Sequence, residues 1–415
     1  MTDSRFIPED LILNIILRLP VQYVIVCRSV CKKWNFMLRS HNFISLYDNY
    51  RACRKENYKE NGSSFILLRF DTELYKGYTN SMLPHQFPDV LISFLTVKKK
   101  CNELIATVDK ERKADVPFSS AMITNLRRSY HSHSFRLNNV YNGIICMSNE
   151  MDIVLVNPST RESQRLPFSP FSYPDADLTD SYVLGVWFDH HQSNSNLPPQ
   201  GSLKHYKVFR AVILLTGQLY HYYDEFEDIN IVFEIYDSRE NCWRKSKTMC
   251  EYMSSWNHLL FNGVFHLPIV DKHNSLITLD AKSEMLGSLP LPSEINLMFN
   301  NAVPLYNLRG SLALLVDIPT SLTDIWLMNE YGVKQSWTKQ YTIEFDVTLN
   351  QLQCRPITFW KYMDKEEEED ELFLQNTDGK LVSINLVTKK ITNFELYGIP
   401  NSMMIVPYIE TLLPL

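Results

Sequence analysis

The first twenty residues contain a short segment whose apolar positions have helical spacing. Pro8 suits the first position of a helix, because the backbone N–H that proline lacks would have no partner there. Pro20 ends the segment. When the residues between these two prolines are placed about 100° apart around a helix axis, the apolar side chains cover an arc of roughly 240°. They are Leu11, Ile12, Leu13, Ile15, Ile16, Leu17 and Leu19. The pattern predicts one helix that is apolar on most of its surface.

This helix has more apolar surface than docking on its own domain requires. A surface helix of a globular domain needs an apolar stripe of only about 100°. The helix is therefore either buried in a large core, or it has two apolar faces, one for its own domain and one for a partner protein.

The next segment continues the helical spacing. Apolar residues recur at Val24, Cys27, Val30 or Cys31, Trp34, Met37 and Leu38. We expect two further short helices that pack on the first, in a module too small to bury all its apolar surface. Cys27 and Cys31 stand one turn apart in this apolar pattern, which predicts buried thiols rather than a metal or redox pair.

The period changes at Ser64, and from there short runs rich in branched and aromatic residues extend to the end of the chain. Such runs, separated by Asn, Asp, Gly and Pro turns, predict a β-sandwich, barrel or propeller without βαβ units. A loose repeat at residues 152–161, 232–239, 276–280 and 380–390 favours a propeller. The predicted fold is thus an α+β multidomain chain. A three-helix module (residues 1–45) and a linker (46–63) precede an all-β propeller of about six blades (64–415).

Composition narrows the functional classes. The 415 residues are 45% hydrophobic and 21% charged, which is typical of a globular protein. A net charge of −6 and an isoelectric point near 6.0 argue against nucleic-acid binding. We find no secretory signal and no apolar run long enough for a membrane span. Eight scattered cysteines favour reduced thiols, so we expect a cytoplasmic protein, or one also present in the nucleus.

Few residues are candidates for chemistry. His131, His133, His190 and His191 lack further ligands at metal-binding spacing, and we interpret them as surface residues. The sequence has no nucleophile elbow, phosphate loop or dinucleotide fingerprint, so we predict no catalytic residue, metal or cofactor. The acidic run at residues 366–371 is predicted to be a solvated loop, or else a patch that attracts a basic client. In the second case, replacing Glu366 to Glu369 with Ser would slow client association at low salt.

The N-terminal module resembles an F-box. The resemblance rests on Pro8, Asp10-Leu11, Ile15-x-Leu17, Leu19-Pro20-Val21, Val30-Cys31-Lys32 and Trp34, with departures from the usual pattern at Ile7, Val26 and Cys27. It implies binding to a Skp-family adaptor, and through it to the cullin and RING subunits of an SCF-type ubiquitin ligase. The residues expected to bind the adaptor are Ile7, Pro8, Leu11, Ile12, Ile15, Ile16, Leu19, Pro20, Val30, Cys31 and Trp34.

The rest of the chain resembles the kelch-like F-box-associated region of plant F-box proteins, closest to the S-locus F-box group. The matching blocks lie at residues 142–146, 157–161, 206–208, 241–244, 262–263, 289–292, 324–328, 330–333, 336–339 and 408–412. The resemblance implies a non-catalytic substrate receptor that brings a protein client to ubiquitination and degradation. If the protein acts in self-incompatibility, as the resemblance to the S-locus group suggests, the client would be a basic ribonuclease. The alternative is a stand-alone propeller lectin or oxidase capped by the helices.

Overall fold

The computed structural model describes most of the chain, in separate ranges. The described residues are 8–55, 63–70, 90–100, 103–113, 136–141, 143–148, 152–173, 178–188, 205–216, 228–250, 258–271, 273–292, 294–295, 304–318, 322–344, 355–361, 370–399 and 403–415. Several sequence predictions fall outside these ranges. They concern Ile7, the four histidines at 131, 133, 190 and 191, and residues 366–369 of the acidic run.

Four helices form the N-terminal module: α1 (Glu9–Leu17), α2 (Val21–Cys27), α3 (Lys32–Arg39) and α4 (His41–Lys55). Three of them were predicted, and α4 extends into the segment that the sequence indicates as a linker. Tyr47 explains how α4 joins the module. Its ring is fully buried, and its hydroxyl donates a hydrogen bond to the Leu19 carbonyl at 2.7 Å, between α1 and α2.

The remaining elements of the described chain are strands, apart from one 3-10 turn at Lys334–Ser336. In chain order they are β1 (Ser63–Phe70), β2 (Val90–Lys100), β3 (Glu103–Lys113), β4 (Arg136–Tyr141), β5 (Ile144–Ser148), β6 (Ile153–Asn157), β7 (Glu162–Arg165), β8 (Leu178–Phe188), β9 (Tyr206–Thr216), β10 (Asp228–Asp237), β11 (Cys242–Cys250), β12 (Leu259–Phe261), β13 (Val264–Val270), β14 (Ser275–Asp280), β15 (Leu286–Pro290), β16 (Leu305–Leu308), β17 (Ser311–Ile318), β18 (Leu322–Met328), β19 (Trp337–Glu344), β20 (Arg355–Lys361), β21 (Asp370–Gln375), β22 (Lys380–Asn385), β23 (Ile391–Tyr397) and β24 (Met404–Pro407).

These strands form six antiparallel four-stranded sheets, the blades of a propeller. Blades 2 to 6 each use four consecutive strands, from β4–β7 to β20–β23. Blade 1 has the order β24-β1-β2-β3, with Ile66 opposite Val406, so the last strand of the chain completes the first blade. This pairing closes the ring and leaves no open edge between the first and last blades. The predicted propeller of about six blades is confirmed.

Burial follows the position of a strand in its blade. The middle strands β5 and β6 are buried along their whole length, whereas the outer strand β7 alternates between half-buried and exposed residues. Middle strands pack on neighbouring blades with both faces, and an outer strand has one face in water. This difference explains why some runs of the sequence are continuously apolar and others alternate.

The end of the acidic run differs from the prediction of a solvated loop. Asp370 and Glu371 begin β21 and are buried. The Asp370 carboxylate pairs with Arg309 at 2.7 Å and accepts a hydrogen bond from the Tyr341 hydroxyl at 2.9 Å. A buried carboxylate is tolerated when it is paired in this way. The prediction is wrong for these two residues because Asp370 has partners in blade 5 that are far away in sequence, and Glu371 accepts a hydrogen bond from Asn385 on β22 of blade 6 at 3.1 Å.

The propeller has two rims, and the N-terminal helices lie at one of them. Because neighbouring strands alternate in direction, the turn between the first and second strands of a blade lies at the same end as the turn between the third and fourth strands. We call this end the helix-side rim, since the N-terminal helices share a hydrophobic cluster with residues at this end of blades 2 and 3, including Ile144, Phe188, Tyr206 and Tyr236.

Candidate partner-binding face on the N-terminal helices

Helix α1 has two apolar faces. Leu11 and Ile15 are 54% and 58% exposed, and they are one helical turn apart. Ile16 is only 2% exposed and packs in the cluster that joins the helices to the propeller, with Ile12, Leu13, Leu17 and Leu19 partly buried against it. The module buries one side of the helix and leaves the other side in contact with water.

The exposed apolar surface continues on α2 and α3. Tyr23 and Val26 are three positions apart and point away from the buried Val21 and Val24. Val30 is 63% exposed, and Phe36 on α3 is 82% exposed. We define Leu11, Ile15, Tyr23, Val26, Val30 and Phe36 as the exposed helical face. Apolar residues gathered on so small a module indicate a surface that a partner covers.

Two prolines and a cysteine set the starts of these helices. Pro8 and Pro20 occupy the caps of α1 and α2, and their carbonyls accept the first backbone hydrogen bonds of each helix. Pro8 thus lies just outside the helix, one position before the predicted one. Cys31 caps α3, where its Sγ accepts a hydrogen bond from the Trp34 N–H at 3.5 Å.

The prediction of buried thiols is wrong for Cys31. Its side chain is exposed, because a cap residue with extended backbone lies outside the helix and its apolar stripe. Cys27 is half-buried inside the last turn of α2, and burial raises the pKa of its thiol.

The structure distributes the predicted adaptor-binding residues over three environments. Those exposed are Pro8, Leu11, Ile15, Pro20, Val30 and Cys31; those half-buried are Ile12, Leu19 and Trp34; and Ile16 is buried. Ile16 therefore supports the exposed helical face from beneath. Sequence reasoning missed Tyr23, Val26 and Phe36, although the spacing of three between Tyr23 and Val26 is a helical signal.

The helical module is docked on blades 2 and 3 and on the segment after β24. Leu412 and Leu413 are buried in the same hydrophobic cluster as Ile16, Val24 and Tyr47. Asn157 holds this last segment: its Nδ2 donates to the carbonyls of Thr411 and Leu413 at 3.3 and 2.7 Å. The exposed helical face is therefore carried on a fixed support.

Buried polar contacts connect neighbouring elements of the propeller. In blade 3 the buried Glu234 carboxylate pairs with Arg210 at 3.2 Å and accepts a hydrogen bond from the Tyr173 hydroxyl at 2.6 Å. Between blades 4 and 5, His266 Nε2 lies 2.8 Å from the Tyr331 hydroxyl, and burial lowers the pKa of His266 to about 4. Across the described residues, no cluster of His, Cys, Asp and Glu has the grouping of a metal site.

Two protein-family models match this architecture. A model described as "F-box domain" matches residues 7–46, and one described as "F-box associated beta propeller domain" matches residues 93–414. The chain is an F-box protein. It belongs to the F-box proteins that carry an F-box-associated propeller, and the exposed helical face lies on its F-box.

Known relatives are also F-box proteins. "F-box protein CPR1" and "F-box protein At3g07870" of Arabidopsis thaliana are each 24% identical to this chain. The matches span 95% of this chain and 86% of CPR1, and 98% of this chain and 91% of At3g07870. AztD of Citrobacter koseri, a solved structure, has a TM-score of 0.36 and 9% identity over 81% of this chain and 83% of its own. Likeness at that level says nothing about function.

Within the described ranges, none of the helices has both the length and the apolar character needed to cross a bilayer.

Proposed function

We propose that this F-box protein is a substrate receptor of an SCF-type ubiquitin ligase. In this proposal the F-box binds a Skp-family adaptor, which connects it to cullin and RING subunits, and the propeller binds a protein client. The observation that carries the proposal is the exposed helical face within the matched F-box. F-box proteins in general act as substrate adaptors, and the receptor would perform no bond chemistry of its own.

The contribution of such a receptor to ubiquitination is proximity. Holding the client and the ligase on one body raises the local concentration of client lysines at the conjugating enzyme. The cluster shared by the helices, blades 2 and 3 and the last segment supports this role, because it fixes the adaptor side relative to the client side. We place this activity in the cytoplasm or nucleus, and we propose proteasomal degradation as the fate of the client.

Two residues of the exposed helical face would contribute measurably to adaptor binding. Burying a large aliphatic side chain contributes about 1.5–3 kcal/mol. Since Leu11 and Ile15 still expose slightly more than half of their surface, each would contribute about 1–1.5 kcal/mol on binding. Together they correspond to a change of about 30- to 150-fold in affinity.

Co-purification with a purified Skp-family adaptor tests the proposal. We expect the wild-type chain to retain the adaptor, and the variant Leu11→Asp/Ile15→Asp to lose it while its circular dichroism stays unchanged. Val108→Asp is the matched control, because Val108 is an exposed apolar residue on β3 of the propeller. A folded wild-type chain that retains no adaptor would refute the proposal, as would a double variant that binds like the wild type.

The S-locus hypothesis of a ribonuclease client in self-incompatibility remains a prediction from sequence blocks. A basic ribonuclease would need acidic surface on the propeller. The acidic run at residues 366–369 is the sequence candidate for that surface, whereas the lysines in residues 281–285, 329–336 and 386–390 would favour an acidic client.

A further inference from the structure

Three equivalent turns of the helix-side rim each have one exposed large apolar residue. They connect the third and fourth strands of blades 4, 5 and 6, and they span residues 281–285, 329–336 and 386–390. Met285 is 54% exposed, Tyr331 41% and Val387 57%. The equivalent turns of blades 2 and 3, residues 158–161 and 238–241, have no exposed large apolar residue. A single exposed apolar side chain needs no explanation, but a repeat in three successive blades does.

The turn of blade 5 is fixed against strands β12 and β13 of blade 4. His266 Nδ1 faces the Val264 carbonyl at 3.1 Å, so Nδ1 carries the hydrogen and Nε2 accepts the bond from the Tyr331 hydroxyl. The Tyr331 ring also packs 5.7 Å from the ring of Phe261 in blade 4. Blade 6 is joined to blade 5 because Lys389 Nζ donates to the Thr342 carbonyl at 2.7 Å. A surface held in this way loses little conformational entropy when it binds a partner.

The same turns carry positive charge on a chain whose net charge is −6. Lys282, Lys389 and Lys390 are exposed, and Lys334 is half-buried. The acidic Glu284 is already occupied by Lys207 at 2.7 Å and by Arg244. Among the described residues of the three turns, Glu330 is then the acid that remains beside these lysines. The described residues of these three turns therefore carry a net positive charge, opposite in sign to that of the whole protein.

We propose that these three turns form the client-docking surface and that they bind an acidic protein segment that also contains apolar residues. The inference rests on the proposed receptor function and names its client class. Acidic side chains complement the lysines, and apolar side chains cover Met285, Tyr331 and Val387, as expected for an interface with an apolar centre and a charged rim. The surface lies in blades 4 to 6, beyond the blades that carry the F-box.

Two photoreactive peptides of about 15 residues probe this surface. Both have the same Leu and Tyr positions, and the other positions are all Glu in one and all Lys in the other. We expect the acidic peptide to bind at least about tenfold more tightly than the basic peptide. Its cross-links should fall in residues 281–285, 329–336 and 386–390. Equal binding of both peptides, tighter binding of the basic one, or cross-links on the opposite rim would overturn the inference. The inference would also be overturned if a single-stranded oligonucleotide bound these turns more tightly than the acidic peptide does.

Charge variants sharpen this test. The double variant Lys282→Ser/Lys390→Ser should lower the affinity for the acidic peptide about fivefold. The control Lys98→Ser/Lys247→Ser removes the same charge from other blades and should change this affinity less than twofold. Met285→Ser/Val387→Ser should weaken binding at high salt as well as at low salt. Equal losses in the two lysine variants would mean non-specific attraction and would contradict the inference. Adaptor capture, measured on the same samples, reports separately on the receptor function.

Discussion

Asn157 allows the coupling between the F-box and the propeller to be tested at one side chain. It is fully buried at the end of β6. Its Nδ2 donates to the carbonyls of Thr411 and Leu413, and its Oδ1 accepts from the N–H groups of Ser159 and Thr160. The side chain therefore shapes a turn and also holds the segment that packs beneath the F-box helices.

The variant Asn157→Ala removes both roles. Two buried carbonyls lose their donor, and leaving a buried polar group unsatisfied costs about 1–3 kcal/mol. If the two unsatisfied carbonyls together cost about 2–4 kcal/mol, the equilibrium constant for opening of residues 408–415 rises about 30- to 700-fold. Since Leu412 and Leu413 belong to the cluster that holds the helices, release of this segment also loosens the F-box.

Hydrogen exchange of the peptide 408–415, followed by mass spectrometry, measures this opening. Asn157→Asp separates the two roles, because it keeps the acceptor for the turn but removes the donor to Thr411 and Leu413. Asn385→Ala is the matched control: Asn385 is also buried and shapes the equivalent turn of blade 6 by accepting from Val387 and Thr388. Unchanged exchange in Asn157→Ala, or an equal rise in Asn385→Ala, would show that our reasoning is wrong.

Three further predictions concern stability. Ile16→Ala should destabilise the helical module by about 2–4 kcal/mol in thermal unfolding, whereas Ile15→Ala on the exposed side should cost less than about 1 kcal/mol; equal effects would contradict the two-faced helix. Arg210→Met leaves the Glu234 carboxylate buried without its cation, so the free energy of unfolding in urea should fall by about 3–5 kcal/mol, with partial recovery when Glu234→Gln is added; no recovery would count against the ion pair. For His266, the pKa of about 4 lies below the usual value of 6.5, so the unfolded chain takes up a proton first as the pH falls. Stability should therefore drop by about 3 kcal/mol between pH 6.5 and 4, and His266→Gln should flatten this dependence in chemical unfolding; an unchanged profile would refute it.

Local patterns were sufficient to predict the architecture. The switch from helical spacing to short β runs at Ser64 follows from side-chain periodicity alone. The blade repeat was visible because blades 2, 3, 4 and 6 each have an Asn or Asp that accepts a backbone hydrogen bond in the turn after the third strand, with Asn157 and Asn385 in equivalent roles. The two apolar faces of α1 also follow from its sequence, because its six large apolar residues cover more of the helix surface than docking on its own domain requires.

Contacts between distant residues could not be predicted in the same way. The pairing of Ile66 with Val406 joins the two ends of the propeller, and nothing near either residue marks the other. Asp370 looks like the end of a solvated acidic run until Arg309 and Tyr341 of blade 5 are placed beside it. Likewise, the exposed turns of blades 4 to 6 come to the same rim only when these blades pack side by side. Their apolar tips are too far apart along the chain to form a local signal.

The central claim is that this F-box protein joins a cullin-based ligase through its helices. Sedimentation of the full chain with a purified Skp-family adaptor and a cullin tests it most directly, with another F-box protein as the positive control for assembly. We predict one complex that contains all three proteins, and its loss in Leu11→Asp/Ile15→Asp but not in Val108→Asp. A chain that sediments alone, while the positive control assembles under the same conditions, would contradict the account.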